Sequence, residues 1–191
     1  MTERLDWSPV TLELLAERHG EQLRDAANAD PDIWAIYPYS MAGEHFDPWW
    51  MRAFADQGEG RIRFAVCLDG DCVGVSSYLN IEPEAGAVEI GGTYYRPEVR
   101  GGIVNPAAKL LMLRHAFAQG ARRVAFKVDA INARSRAAVL KLGAVQEGIL
   151  RRNSITWTGR VRDTVVFSVL ADEWPTVEAG LLDRLRKAQS A

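Results

Sequence analysis

The chain contains 191 residues, of which 48% are hydrophobic and 25% are charged, an ordinary composition for a soluble globular protein with a substantial core. Its formal net charge is −2, and its two cysteines are too few for a disulfide framework. No apolar run approaches the roughly 18 residues of a membrane span, and the first residues lack the basic and apolar regions of a signal peptide. These features exclude a membrane protein and predict one cytoplasmic domain over residues 1–191.

The first half of the chain contains two helix patterns and four strand patterns. Predicted in order are a strand at Val10–Leu15, helices at Ala16–Ala27 and Pro48–Gln57, and strands at Arg61–Leu68, Cys72–Asn80 and Ala87–Tyr95. Asp69-Gly70 is typical of a two-residue hairpin turn, which would place Cys67 opposite Cys72 as two buried or half-buried free thiols. The last three of these strands are expected to be antiparallel.

The second half contains a strand, a helix and a strand in close succession. Predicted are helices at Pro106–Gln119, Ala133–Leu142 and Glu173–Ala188, and strands at Arg122–Asp129, Ala144–Ile155 and Asp163–Leu170. Because a helix separates them, Ala87–Tyr95 and Arg122–Asp129 are expected to be parallel neighbours joined by a right-handed crossover. The predicted fold class is α/β, with a mixed, mostly antiparallel sheet and flanking helices.

The segment that leads into the helix between those two strands is the most informative part of the sequence. Gly101-Gly102 ends the strand pattern, Asn105 is a favourable N-cap, and Pro106 suits the first helical position. A helix N-terminus presents free N–H groups and the positive end of its dipole. This segment therefore predicts an anion site, for which phosphate is the usual ligand.

The charges are distributed unevenly around this segment. Residues 1–95 carry 6 basic and 17 acidic side chains, residues 96–136 carry 9 and 2, and residues 137–191 carry 8 and 6. The basic block coincides with the predicted anion site and suits a polyanionic small molecule. A nucleic-acid partner is not indicated, since no nucleic-acid-binding motif accompanies the block.

Three short motifs occur in a fixed order in this half of the chain. Arg100-Gly-Gly-Ile-Val-Asn105 opens a helix, Asp129-Ala-Ile-Asn-Ala-Arg-Ser135 follows the next strand, and Lys141-Leu-Gly-Ala144 ends the second helix. In this order and spacing they resemble the GNAT superfamily of N-acetyltransferases, in its RimL/RimJ-like branch. The resemblance covers nearly the whole chain and implies an N-acetyltransferase that uses acetyl-coenzyme A as cosubstrate and no metal.

The resemblance implies a coenzyme site at the glycine turn, Arg100–Asn105, whose main-chain N–H groups would hold the pyrophosphate. The cofactor-binding residues expected are Arg100, Gly101, Gly102, Ile103, Val104, Asn105, Asn132 and Ser135. Ile103 stands where the family has glycine, and its branched side chain is expected either to crowd the phosphates or to force them toward Gly101-Gly102. Asn132 and Ser135 would contact the pantetheine arm, and Ser135 would also protonate the departing sulfur. Alternatively, Asn132 caps the following helix and Ser135 makes a first-turn backbone hydrogen bond.

The resemblance also implies that the two parallel strands splay apart to admit the pantetheine arm. Gly91-Gly92 in mid-strand predicts a β-bulge at that point. Amine acylation requires the ammonium group to lose a proton, and Glu89, just before the bulge, is the candidate catalytic base. The alternative for Glu89 is an outward-facing side chain on a half-exposed strand.

Aromatic residues and charge give the expectations for the acceptor side. Trp34 and Tyr37 are predicted to line the acceptor pocket, although aromatic residues at this density more often form core. The acidic balance of residues 1–95 predicts a cationic acceptor. His19, His45 and His115 lack metal-ligand spacing and are predicted to lie on the surface or on helix faces.

Two other functions are left open by the sequence. A coenzyme A-binding module without catalysis would fit the unusual Ile103. A nicotinamide-dependent oxidoreductase would use Asp129 on the ribose, but the G-x-G-x-x-G spacing and the room for a substrate domain are missing. The partners expected are an acyl-coenzyme A and an amine acceptor, with a homodimer left open and with neither nucleic acid nor membrane.

Overall fold

The computed structural model describes residues 4–58 and 60–189. In these ranges the strands are β1 (Arg4–Trp7), β2 (Val10–Leu14), β3 (Ile62–Leu68), β4 (Asp71–Glu82), β5 (Ala87–Tyr95), β6 (Arg123–Asp129), β7 (Val145–Ile155) and β8 (Val161–Leu170). The α-helices are α1 (Gly20–Asn28), α2 (Phe46–Ala55), α3 (Val104–Ala118), α4 (Ala133–Leu142) and α5 (Trp174–Gln189). Among the described helices, none is long and apolar enough to cross a membrane.

The strands form one mixed sheet of eight strands in the order β1-β2-β3-β4-β5-β6-β8-β7. Every neighbouring pair is antiparallel except β5 and β6, which are parallel because the chain crosses over through α3 between them. The predicted α/β fold class, with a mostly antiparallel sheet and one parallel pair, is confirmed.

Side chains alternate between the two faces of the sheet and form a core on each face. The larger core packs α3 and α5 against residues such as Phe64, Tyr78 and Phe126. The smaller core joins Val75 and Tyr94 to residues of α1, α2 and the segment between them. The sheet is therefore covered by helices on both faces.

The predicted hairpin and the helix α4 are confirmed. Cys67 lies opposite Cys72 across the β3–β4 hairpin, and both are buried free thiols. The Oδ1 atom of Asn132 accepts the Ser135 N–H at 3.0 Å and so caps α4, which ends at Gly143 with φ +105°.

The predicted start of α3 is wrong by two residues. The N-cap is Ile103, with φ −77° and ψ −20°, and it makes no side-chain cap hydrogen bond. Asn105 and Pro106 lie inside the first turn. Proline is tolerated there because first-turn N–H groups have no intrahelical acceptor, so Pro106 does not define where the helix begins. The short strand β1 was not predicted, so five strands rather than the expected four precede α3 in the described ranges.

Gly74 is expected to be intolerant of any side chain, because a Cβ atom there would lie 2.1 Å from the Tyr94 carbonyl oxygen of the neighbouring strand. Gly74→Ala should lower the free energy of unfolding by about 2 kcal/mol or more, as overpacking of a core does. Gly148→Ala is the matched control, since no atom lies within 4 Å of a Cβ at that strand position. Urea denaturation of both variants measures the difference, and equal stabilities would contradict the expected clash.

Candidate active site

The central feature of the site is a split between β5 and β6. These strands pair only at Ala87 with Arg123, Val88 with Val124, and Glu89 with Ala125, and they separate beyond Glu89. A cavity of about 660 Å³ opens at the split, lined by residues of β5, β6, α3, α4 and the segments before β3. Its volume is that of a small-molecule or cofactor site.

A β-bulge lies beside the split, as predicted from Gly91-Gly92. Val75 pairs with Tyr94 and Ser77 pairs with Gly91, so two residues of β5 stand opposite the single residue Ser76. Gly92 has φ +56°, and a Cβ atom there would lie 3.2 Å from the Tyr39 hydroxyl. Both the backbone conformation and the close approach favour glycine at this position.

The glycine turn presents a run of unused backbone donors. Gly101 has φ +81° and opens the turn, and α3 follows directly. Within the described ranges, the N–H groups of residues 101–105 have no protein acceptor. Together with the helix dipole, these groups form a surface suited to phosphate oxygens.

Ile103 is not part of the cavity lining, whereas Arg100 is and also makes contacts within the protein. Arg100 donates through Nε to the Tyr95 carbonyl at 2.8 Å and pairs with Asp30, while its guanidinium lies over the Tyr94 ring. Ile103 packs against the larger hydrophobic core. The expectation that Ile103 crowds a bound phosphate is therefore wrong, because its side chain lies beneath the turn.

Residues from α3 and α4 line the cavity on the side of the glycine turn. They are Asn105 and Lys109 of α3, and Asn132, Arg134, Ser135, Ala138, Val139 and Leu142 around α4. The Asn132 amide oxygen is used in capping α4, so its amide nitrogen is the part of the side chain that can donate to another group. The structure thus brings the predicted coenzyme residues of α4 to the same cavity as the glycine turn.

Lys109 is a buried lysine that the sequence did not single out. Its Nζ atom donates to Thr93 Oγ1 at 2.7 Å and to Ser76 Oγ at 3.0 Å, and the two hydroxyl oxygens are 2.7 Å apart. Thr93 belongs to the bulge and Ser76 is opposite it, so the lysine ties both strands to α3. Burial lowers the pKa of Lys109 from its ordinary value to about 7.

Glu89 is buried and faces the split. Its Oε2 atom accepts from Asn80 Nδ2 at 2.8 Å and pairs with Lys127 Nζ at 2.9 Å. Its Oε1 atom has no donor among the described residues and lies 3.2 Å from the position of a Cβ on Gly91. One oxygen is therefore held in place while the other is free to accept a proton at the split.

The two aromatic residues predicted for the acceptor pocket have different positions. Trp34 is completely buried, donates from Nε1 to the Ala27 carbonyl at 3.0 Å and stacks on Tyr94, so the prediction that it lines the pocket is wrong. Tyr37 does line the cavity, and its hydroxyl donates to the Thr93 carbonyl at 2.8 Å. Tyr39, which was not predicted, also lines the cavity, and burial raises the pKa of its hydroxyl to about 12.

The turn between β7 and β8 closes onto this aromatic segment. Trp157 donates from Nε1 to the Trp34 carbonyl at 2.7 Å, and its ring lies against His45 with the centroids 4.9 Å apart. The segment that carries Tyr37 and Tyr39 is therefore held from the C-terminal half of the chain.

Comparison of the sequence with models of known protein families identifies the family of this chain. The profile of the Acetyltransferase (GNAT) domain matches residues 10–145, more than half of the chain. The chain belongs to the GNAT acetyltransferase family. The family uses acetyl-coenzyme A, and the split strands, glycine turn and α4 all lie within the matched residues. No curated protein is similar enough in sequence to count as a match.

Solved structures with a GNAT fold superpose on nearly the whole chain. A protein of T. thermophilus, provisionally named an acetyltransferase, has a TM-score of 0.88 and 36% identity over 97% of this chain and 98% of that one. RimJ of Mycobacterium smegmatis, in complex with CoA-disulfide, has a TM-score of 0.78 and 23% identity, with coverages of 92% and 88%. RimL, a ribosomal L7/L12 alpha-N-protein acetyltransferase, has a TM-score of 0.79 and 17% identity over 89% of this chain and 95% of that one. At these identities RimJ and RimL share the fold with this GNAT chain and carry no argument on its acceptor.

His19 lies outside the GNAT site and corrects another expectation, since it is buried rather than on a surface. Its side chain, Glu13 and Cys67 place possible metal ligands within 4.8 Å of one another. However, Nδ1 accepts the Ala16 N–H at 3.1 Å, so Nε2 carries the ring proton and donates to Glu13. With both ring nitrogens used in this way, the arrangement is a structural hydrogen-bond network.

The buried lysine gives this GNAT fold an expected dependence of stability on pH. The folded-state pKa of Lys109 is about 7, whereas an unfolded lysine titrates near 10.4. Between these values the unfolded chain binds a proton that the folded chain does not, so this group makes the unfolding free energy rise with pH. Lys109→Met removes the contribution, and wild type should gain stability relative to the variant from about pH 7 to 10.

Urea denaturation at several pH values measures this difference. Lys141→Met, at an exposed position of α4, is the matched control and should keep the wild-type slope. If Lys109→Met and wild type have the same slope, the lysine remains charged when folded.

Proposed function

We propose that this protein transfers an acetyl group from acetyl-coenzyme A to a primary amine, on a protein N-terminus or a small molecule, by direct attack in a ternary complex. The observation that carries the proposal is one continuous cavity that joins unused backbone donors at the glycine turn to the free Oε1 atom of Glu89. Membership in the GNAT family supports the reaction type.

The coenzyme would bind on the side of α3 and α4. The N–H groups of residues 101–105 would hold the pyrophosphate, since they lack protein acceptors and lie at the positive end of α3. The gap between β5 and β6 would admit the pantetheine arm, with Asn132 and Ser135 beside it. The fold neighbour RimJ has been solved in complex with CoA-disulfide.

Glu89 would remove the proton of the attacking ammonium group, directly or through a water molecule. Its Oε2 partners, Asn80 and Lys127, fix the carboxylate so that Oε1 faces the split. A backbone N–H at the bulge would stabilise charge on the thioester oxygen, and the ties from Lys109 would keep that strand segment in place. Ser135 would give a proton to the departing sulfur, and Tyr39, which keeps its proton at neutral pH, is a second donor in the same cavity.

The two alternative functions left open by the sequence are less well supported. The nicotinamide oxidoreductase is incompatible with the family match. The inactive coenzyme-binding module depended on Ile103 disturbing the phosphate site, and that side chain packs into the core instead.

A panel of acyl-coenzyme A donors and primary amines tests the proposed reaction through thiol release and product mass. Acetyl-coenzyme A should also raise the melting temperature, and acetyl-pantetheine, which lacks the nucleotide phosphates, should do so less. The donor preference is overturned if NADH stabilises the protein and no acyl-coenzyme A does.

Glu89→Gln should lower kcat for amine acetylation by about 10² while the acetyl-coenzyme A affinity stays nearly unchanged, because the amide keeps the shape but cannot take a proton. The loss should shrink at high pH, where more of the amine is already neutral. Lys127→Gln is the matched control: it breaks the same 2.9 Å ion pair but leaves the carboxylate. If both variants lose the same activity with the same pH profile, Glu89 acts through the ion pair and is not the base.

A further inference from the structure

The sheet face that bears Glu89, called here the acceptor face, also bears basic side chains. Directly paired residues of neighbouring strands share a face. Arg63 pairs with Ser77, Leu79 pairs with Glu89, and residues two apart along β4 connect the two pairs on one face. Across the split, Asp129 pairs with Thr164, and Arg162 lies two residues before Thr164 on that same face.

The cavity lining on this face is predominantly cationic. The basic residues are Arg52, Arg61, Arg63, Lys127 and Arg162, and the acidic residues are Glu89 and Asp129. Both carboxylates already have cationic partners: Glu89 pairs with Lys127, and buried Asp129 pairs with Arg160 and lies 3.7 Å from Arg162. These pairs leave no carboxylate of the lining to neutralise the arginines near α2.

Two of the three arginines near α2, Arg61 and Arg63, share the carboxylate of Asp56, which does not line the cavity. Buried Arg63 binds Asp56 through both of its terminal nitrogens, and its contact holds the pKa of that carboxyl below its usual range. Arg61 reaches the same carboxylate at 3.3 Å. Arg52 has no acceptor among the residues of 4–58 and 60–189. Two exposed guanidinium groups are thus available to a ligand that enters from this end.

We propose that the amine acceptor also carries an anionic group, a carboxylate or a phosphate, and that Arg52 and Arg61 bind this group. The inference rests on the proposed acetyl transfer and names the class of its acceptor. It reverses the expectation of a cationic acceptor, because the lining of the site, rather than the net charge of residues 1–95, determines what can enter.

The arrangement orients such an acceptor. Guanidinium groups bind carboxylate and phosphate oxygens through paired hydrogen bonds. Anchoring the anion near α2 would direct the amine along the acceptor face toward Glu89 at the split. A second cationic group on the acceptor would instead be repelled by the arginines of the lining, because both lining carboxylates already have cationic partners.

Matched acceptor pairs test the proposal on the wild-type protein. β-Alanine is compared with its amide, and phosphoethanolamine is compared with ethanolamine, by kcat/KM at saturating acetyl-coenzyme A. At least one anionic member should be preferred by at least about tenfold, the factor expected from a charged hydrogen bond. In each pair the compound without the anionic group has the less basic amine and therefore the larger fraction of free amine. A preference for the anionic member thus cannot come from a larger supply of free amine. The pair with the larger ratio identifies carboxylate or phosphate as the group.

Arg52→Gln should reduce that ratio several-fold through KM for the anionic acceptor, and Arg18→Gln should not, since Arg18 is exposed and outside the cavity. Equal kcat/KM values within both wild-type pairs, or a preference for the neutral members, would overturn the proposal while leaving acetyl transfer established. Absence of any acetylated product across all amines would instead overturn the proposed function itself.

Discussion

The early end of the β5–β6 ladder is the constraint on which the rest of the site depends. A parallel ladder normally continues because each strand satisfies the backbone groups of its neighbour. Here pairing stops after Glu89, and side chains take over the task of fixing the strands. Lys109 holds the bulge from the α3 side, and the Glu89–Lys127 pair bridges the two strands on the acceptor face. The opening is stable because both of its rims are tied to neighbouring elements.

The two faces of the sheet divide the chemistry. The coenzyme side is built from backbone donors and a helix dipole, which bind phosphate without specifying the rest of a ligand. The acceptor face is built from charged side chains whose identities can vary independently of the backbone. Glu89 lies between these two regions because its carboxylate is on the acceptor face at the residue where the ladder ends. Under the proposed function, donor binding and acceptor choice would thus be determined by different parts of one cavity.

Local signals in the sequence were sufficient for much of the fold. Asn132 and Gly143 delimited α4, and Asp69-Gly70 placed the hairpin, because caps and tight turns depend on a few adjacent residues. The burial of Trp34, the inward direction of Lys109 and the charge of the acceptor face could not be predicted in this way. Each depends on packing between segments far apart in the chain. The acidic residues of the first half illustrate the difference, since Asp56 and Glu13 do not line the cavity: Asp56 pairs with Arg63, and Glu13 binds His19.

The hydrogen bond from Trp157 to the Trp34 carbonyl connects the acceptor side to a hairpin turn near the C-terminus. Turns of this kind accept insertions and substitutions more readily than the strands that flank them. A change in the β7–β8 turn would shift the segment that carries Tyr37 and Tyr39 while the glycine turn and α3 keep their geometry. Under the proposed function, proteins with this architecture could therefore differ in acceptor through a surface turn and retain the same acetyl donor.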